Sequence, residues 1–490
     1  MLRYPFIAVF VFLTYFPCSA QEENSVKIVN KFKDYFNKQQ SDSIYQQWNQ
    51  HAKQTVSKTQ LDTLLIKQLY PLGNLDSSIF IKKEDGLEHF KLIFSKETLK
   101  LVLNVDSNKK IETFLFQPFE ESTHEADTIN ESVKKNKVIK DTTDHAKIEE
   151  SKTMEKDIDN LVDSLALQYT NDPNTCGLAI GIIHNGQAGY YYYGETTRGN
   201  KTLPDQETLF EIGSISKTFT AILLANTTLT DSINLTDPII KYLPDSVAHN
   251  NELVNITFQN LATHTSGLPR LPSNIVSSEA LDPYKDYDRN ALFSYLKNYK
   301  QTHKPDSTYE YSNLGYGVIA DLLAYKKNSS YNELVEKTIC VPLELKNTTE
   351  FPSGDKLPKF IPTYNTKGEL TPHWHFLALS GAASLKSTIR DLLKFAENNI
   401  NIPNTVLGKA IALTHKPSWL VSETQDLGLA WNINIENFQE IFWHNGGTFG
   451  SSSFLAFVPS KKLAVVVLAN AAKSVDSIGF SIINNLIANR

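Results

Sequence analysis

The sequence is poor in several features, and each absence narrows what it can be. It has 3 cysteines in 490 residues. One of them, Cys18, lies in a leader-like stretch, so only Cys176 and Cys340 remain for the body of the chain. Two thiols cannot staple a chain of this length; whether they pair or stay free, the fold has to rest on a hydrophobic core. Positive charge is not in excess, since 48 Lys and Arg stand against 54 Asp and Glu, a net charge of −6. A phosphate backbone calls for a basic surplus or patch, so nucleic acid is not an expected partner. No apolar run reaches the about 20 residues that cross a bilayer. The His-Glu-x-x-His signature of zinc peptidases and the Gly-x-Ser-x-Gly elbow of α/β-hydrolases are both missing. What is present is ordinary globular usage, 41% hydrophobic and 21% charged, in a length worth roughly three structural units at about 150 residues each.

The first twenty residues address the chain. Arg3 precedes an apolar run from Phe6 to Phe16, and Pro17-Cys18-Ser19-Ala20 then puts small residues at −3 and −1 of a cut before Gln21. Residues 1–20 read as a cleaved secretory signal, and the expected location is periplasmic or secreted. The run is too short for a stable membrane anchor and no cationic stop follows it. Tyr15-Phe16-Pro17 is a poor lead-in to a lipid-modified Cys18.

Residues 21–120 read as a small α+β domain. Ser25 is the expected N-cap of a helix to Phe36, with Ile28, Val29, Phe32, Tyr35 and Phe36 at helical spacing. Strands follow from Ser78 to Phe119, where Leu99, Leu101, Leu103 and Val105 alternate, Asp106-Ser107-Asn108 turns, and Ile111 to Phe116 returns. The outline resembles the cone-shaped folds related to nuclear transport factor and scytalone dehydratase. No catalytic constellation stands out, and protein contact or dimerisation is the plainer role. Residues 121–152 are expected to be a charged, disordered tether: from Glu121 to Glu150 there is no aromatic residue and no Leu, too little apolar area to offset ordering entropy.

From residue 153 to 490 a second folded unit is expected. Ile158, Leu161, Val162 and Leu165 mark a helix, and Gly177 to Ile183, a tight Asn185-Gly186 turn and Ala188 to Tyr193 mark a hairpin. At the other end Gly450 to Val458 and Leu463 to Leu468 read as strands and Ser474 to Leu486 as a closing helix. The fold class is therefore α+β: an antiparallel sheet completed by both ends of the unit, flanked by helices, with a mainly helical insertion between.

The chemistry begins at Phe210-Glu211-Ile212-Gly213-Ser214-Ile215-Ser216-Lys217. Ser214 and Lys217 are three apart at the start of an apolar run, Phe219 to Leu224, so both project from one face of a helix's first turn. A Lys amine whose pKa is lowered by burial or a nearby cation can take a Ser hydroxyl proton, and the helix N-terminus stabilises developing negative charge. The plain alternative is a helix cap beside a solvated lysine. Two more segments count against it. Tyr309-Glu310-Tyr311-Ser312-Asn313 places a Tyr-x-Asn on a loop entering a helix, and Trp443-His444-Asn445-Gly446-Gly447-Thr448 places a His-x-Gly just before a strand.

With these three motifs in this order, the chain from about Leu161 to Arg490 resembles the serine β-lactamase and penicillin-binding-protein superfamily, nearest its class C and esterase-like branch. The phrases Leu261-Ala262-Thr263-His264-Thr265-Ser266-Gly267-Leu268-Pro269, Ser387-Thr388-Ile389-Arg390-Asp391-Leu392 and Gly428-Leu429-Ala430-Trp431 agree with it. The resemblance implies an acyl-enzyme on Ser214, with Lys217 holding and deprotonating it. Tyr311, as phenolate or through Lys217, would relay protons to the leaving group and then activate water. Asn313 would orient Lys217 or the substrate amide, and the N–H groups of Ser214 and Gly447 would form the oxyanion hole, with Gly446 beside them on the strand edge. A phenol of pKa about 10 needs cationic company to act as a base, which Lys217 would supply. No metal and no organic cofactor is implied.

One departure bears on substrate. The superfamily's lactamases and transpeptidases usually begin the third motif with Lys, whose charge binds a substrate carboxylate; here it is His444, which at an ordinary pKa of about 6.5 would bind one weakly and with pH dependence. Efficient β-lactam hydrolysis is then less expected than cleavage of D-amino-acid peptides of the cell wall or related small amides and esters. A β-lactamase, a promiscuous carboxylesterase and a non-hydrolytic ligand-binding or penicillin-binding protein are the alternatives. His373-Trp374-His375 reads as a loop beside the cleft, not a metal pair. His264 reads as structural, and Tyr190 to Tyr193 as a strand with tyrosines on both faces or an aromatic surface for sugars.

Overall fold

The computed structural model describes residues 22–118 and 156–488, apart from 56, 85–86, 107–108, 232, 423 and 437–438. The expected signal sequence, the expected tether and most of the expected Asp106 turn lie outside the described residues. The chain divides into two compact units, one on each side of the boundary between Val133 and Lys134.

In the first unit, helix Glu22–Asn37 precedes three shorter helices and a four-stranded antiparallel meander of Leu75–Glu84, Leu87–Phe94, Thr98–Val105 and Ile111–Pro118, paired in chain order. Ser25 is not an N-cap: it lies buried within helix Glu22–Asn37. Val29, Phe32 and Phe36 form the buried stripe, with Phe32 meeting Phe114 at 5.0 Å and Phe36 meeting Phe94 at 5.3 Å. Register shifts at Leu75/Ser77, Phe80/Lys82 and Asn104/Val105 bend the strands toward the helix.

The second unit is built on an eight-stranded antiparallel sheet. Strand Leu463–Ala469 from its end pairs with Leu178–His184 from its beginning, so the two chain ends close one sheet. The central strands are buried on both faces and divide their side chains by alternation. Leu178, Ile180 and Ile182 pack with Val465 and Val467 beneath helices Lys156–Thr170 and Asp476–Ala488, while Ala179, Ile183, Val466 and Leu468 face the helical insertion. Asn185 and Gly186 have φ of 53° and 75°, the left-handed pair that a two-residue hairpin needs. All four tyrosines from Tyr190 to Tyr193 are buried, and Tyr191 and Tyr193 donate hydrogen bonds to Asp159 and Asp163 at 2.8 and 2.6 Å. They form no open surface for sugars. Cys176 and Cys340 are buried free thiols.

The insertion places helices Ser216–Thr230, Asn313–Lys327 and Ile389–Ile400 over the sheet. Strands Trp419–Ser422, Gln425–Leu427 and Asn432–Glu436 extend the sheet beyond Gln439–Gly447. His444 to Gly447 are thus the end of a strand, where the sequence reading put His-x-Gly just before one. Their strand pairs with Ser452–Val458 through Gly447, but pairing with Asn432–Glu436 stops at Trp443. The shorter neighbour leaves His444 to Gly447 an open backbone edge, facing the helical side. No helix among the described residues is long and apolar enough to cross a membrane.

Candidate active site

Ser214 lies in the 3-10 turn Gly213–Ile215 that leads into helix Ser216–Thr230, so it reaches the helix's first turn from outside. The turn is pressed against the open strand edge. Gly213 has φ of 48°, and a Cβ there would come 2.5 Å from the Gly447 nitrogen; a Cβ on Gly446 would come 2.1 Å from the Ile212 oxygen and 2.9 Å from the Ser214 nitrogen. Only glycine at both positions lets the two backbones approach this closely. The contact sets the Ser214 and Gly447 amides side by side, the arrangement an oxyanion hole requires.

Lys217 is fully buried, which removes the solvated-lysine alternative. Its Nζ lies 3.1 Å from Ser214 Oγ, 2.8 Å from Asn313 Oδ1 and 2.8 Å from the Ala382 carbonyl. Burial holds its pKa well below the usual lysine value, and the nearby Arg270 charge lowers it further. A neutral amine has two N–H groups and one lone pair. Asn313 Oδ1 and the Ala382 carbonyl can only accept, so in the neutral form they would take both N–H groups and leave the lone pair for the Ser214 hydroxyl.

Tyr311 is held from both sides. Ser312 caps helix Asn313–Lys327, its Oγ accepting from the Gly315 N–H at 2.9 Å and donating to the Pro269 carbonyl at 2.8 Å. The Ser312 N–H donates to Nδ1 of His264 at 2.9 Å, and the His264 ring packs on Tyr311 at 4.4 Å. His264, at φ 61°, is structural as read, and its fold-holding bonds position the tyrosine. Burial raises the Tyr311 pKa, outweighing its hydrogen bond with Ser214 and the Arg270 charge, which act the other way. Burial thus shifts both the phenol and the amine toward their neutral forms. Lys217 Nζ sits 4.7 Å from the Tyr311 ring centroid, and the Arg270 guanidinium 5.0 Å from it.

His444 does not behave as an ordinary imidazole. It is buried, its Nδ1–H donates to the Asn445 carbonyl at 2.6 Å, and burial, helped by Lys217, pulls its pKa down to about 3. It is neutral throughout the physiological range, so the expected titration near 6.5 does not occur. Its ring centroid is 6.5 Å from that of Tyr311.

Sequence reading missed Arg270, although it directly follows the quoted Leu268-Pro269. It also missed the Ala382 carbonyl, for which a sequence carries no signal because the group is backbone, and it passed over Glu211. That buried carboxylate accepts from the Trp374 N–H at 2.8 Å and from the Thr448 hydroxyl at 2.6 Å, tying the strand before Ser214 to the turn after Gly447. Burial works to raise its pKa, but His373 and Lys386 outweigh it and keep the carboxyl ionised. His373 and His375 are spent on Glu211 and Asp282, and the described residues contain no cluster able to hold a metal.

A buried lysine of lowered pKa in contact with a serine hydroxyl is the equipment of a serine hydrolase, and comparison with known proteins agrees. The sequence matches the β-lactamase family over residues 158–480, and the chain belongs to that family. It is 28% identical to a β-lactamase of Pseudomonas fluorescens over 347 residues, covering 64% of this chain and 94% of that protein. It is 27% identical to the D-alanyl-D-alanine-carboxypeptidase/endopeptidase AmpH of Escherichia coli K12, covering 63% and 83%. Among solved structures, a class C β-lactamase superposes with a TM-score of 0.61 at 24% identity, covering 69% of this chain and 98% of that one. A class C enzyme from Rhodobacter sphaeroides gives 0.60 at 23%, covering 67% and 99%.

Proposed function

We propose that the protein is an exported hydrolase that works through an acyl-Ser214 intermediate on D-amino-acid peptides of the cell wall or related small amides and esters. The observation that carries this reading is the buried Lys217 amine, held by Asn313 Oδ1 and the Ala382 carbonyl within hydrogen-bond reach of Ser214 Oγ. In acylation Lys217 accepts the Ser214 proton as Oγ attacks the carbonyl, and the Ser214 and Gly447 amides bind the oxyanion. The phenol of Tyr311, hydrogen-bonded to Ser214, donates to the departing nitrogen or oxygen and recovers a proton from Lys217. Deacylation runs the same relay in reverse on a water molecule. Neutral His444 supplies no fixed charge, which favours the peptide or ester reading over β-lactam hydrolysis. The second reading, a β-lactamase, is supported by relatives that carry that name. Export rests on the Arg3 to Ala20 leader alone. Three groups equipped for nucleophilic attack and proton transfer exceed what a pure binding protein needs.

The test is intact-mass spectrometry over time with a fluorophosphonate, a penicillin and a D-alanyl-D-alanine thioester, using peptide mapping and Ser214→Ala as control. Adducts on Ser214 that vanish in the control are expected, and the acyl group that turns over identifies the substrate class. Folded protein that no reagent labels at Ser214 would overturn the reading.

A further inference from the structure

The Arg270 side chain is exposed, and among the described residues no ion pair or hydrogen bond holds its guanidinium; its partner is the face of the Tyr311 ring at 5.0 Å. Its backbone, in contrast, is anchored, because the Arg270 carbonyl accepts from the N–H groups of Asn313 at 3.0 Å and Leu314 at 3.3 Å. The residue is therefore built into the turn that carries Tyr311 and Asn313. His444, which stands where the superfamily usually has a charged lysine, is neutral, and the buried Lys217 is shifted toward its neutral form. The positive charge beside the proton donor comes from Arg270. A guanidinium fork suits a carboxylate, which it can engage through two parallel hydrogen bonds.

We propose that Arg270 is a specificity residue that binds a carboxylate on the departing part of the substrate, so that the enzyme prefers acyl compounds whose leaving group carries that charge. The assignment to the leaving side follows from Tyr311, the group that delivers a proton there, and so rests on the acyl-serine reading. It gives the hydrolase a carboxypeptidase-like preference, through a cation outside the third motif.

The test compares benzoyl-D-alanyl thioglycolate, whose leaving thiol bears a carboxylate, with its carboxamide, in the wild-type protein, Arg270→Gln and Arg270→Lys. Hydrolysis consumes one water and releases one thiol from either compound, so a single thiol assay reads both. The acid is expected to be preferred by about 10- to 100-fold in kcat/KM, the range of a charge-assisted hydrogen bond. That preference should fall toward one in Arg270→Gln mainly through KM, return in part in Arg270→Lys, and weaken with salt. No preference in the wild-type protein, or one that survives Arg270→Gln, overturns the proposal. An equal loss on both compounds, measured at a pH above the acid limb of each variant, overturns it too, because it assigns Arg270 a packing role on Tyr311. Fluorophosphonate labelling of Ser214 is run alongside: labelling without discrimination sinks only the Arg270 assignment, whereas absent labelling sinks the acyl-serine reading beneath it.

Discussion

The catalytic machinery depends on burial more than on charge pairing. Burial moves Lys217 down, Tyr311 up and His444 down to about 3, so each of the three is shifted toward its neutral form. Desolvation disfavours whichever form is ionised, and that is why one cause moves an acid and two bases in opposite senses. The sequence reading expected Lys217 to lower Tyr311 and His444 to titrate near 6.5; residue identities carry no information on burial, so neither shift was legible. The pH profile of kcat/KM tests this. Activity should rise with pH as Lys217 loses its proton, on an acid limb well below the ordinary lysine value, with no separate step from His444 near 6.5. Because the Arg270 charge helps depress Lys217, Arg270→Gln should move that limb to higher pH. A limb that moves lower, or stays in place, would remove Arg270 from the electrostatics of the lysine.

At the scale of elements, strong alternation and punctuation made some parts readable. The strands around Asn185-Gly186 and the pair Ser452–Val458 and Leu463–Ala469 are runs of apolar residues bounded by turn signals, and they lie within a few residues of where the pattern put them. The strands Trp419–Ser422, Gln425–Leu427 and Asn432–Glu436 were not read, because they are short and their outer residues, such as Leu420 and Ile435, face solvent. Missing them also put His444 just before a strand and not within one. The cap at Ser312 joins local structure to function, since one hydroxyl ends a loop, starts a helix and fixes Tyr311 and Asn313 on either side. Ser312→Ala should cost about 1 kcal/mol of stability, read as a lower urea midpoint. It should also lower kcat more than it raises KM, with Ser312→Thr restoring part of both. Lost stability with unchanged kcat would confine Ser312 to the fold.

At the scale of the molecule, two units with separate cores share one chain. The second holds every residue of the candidate site, so a fragment starting at Met154 should fold cooperatively and be labelled at Ser214 at close to the full-length rate. Thermal unfolding and labelling kinetics check this, and a fragment that fails to fold would make the first unit part of the hydrolase core. The sequence alone determined the terminal elements of the second unit, the closing of one sheet by both ends of that unit, and the presence of Ser214, Lys217, Tyr311, Asn313, His444, Gly446 and Gly447, because hydrophobic period, turn residues and motif order are written along the chain. Tertiary structure alone decided that the Ala382 carbonyl meets Lys217, that Arg270 stands over Tyr311, and that His444 is neutral. Those facts depend on how deeply groups far apart in the chain are buried against one another, and burial is a property of packing in three dimensions.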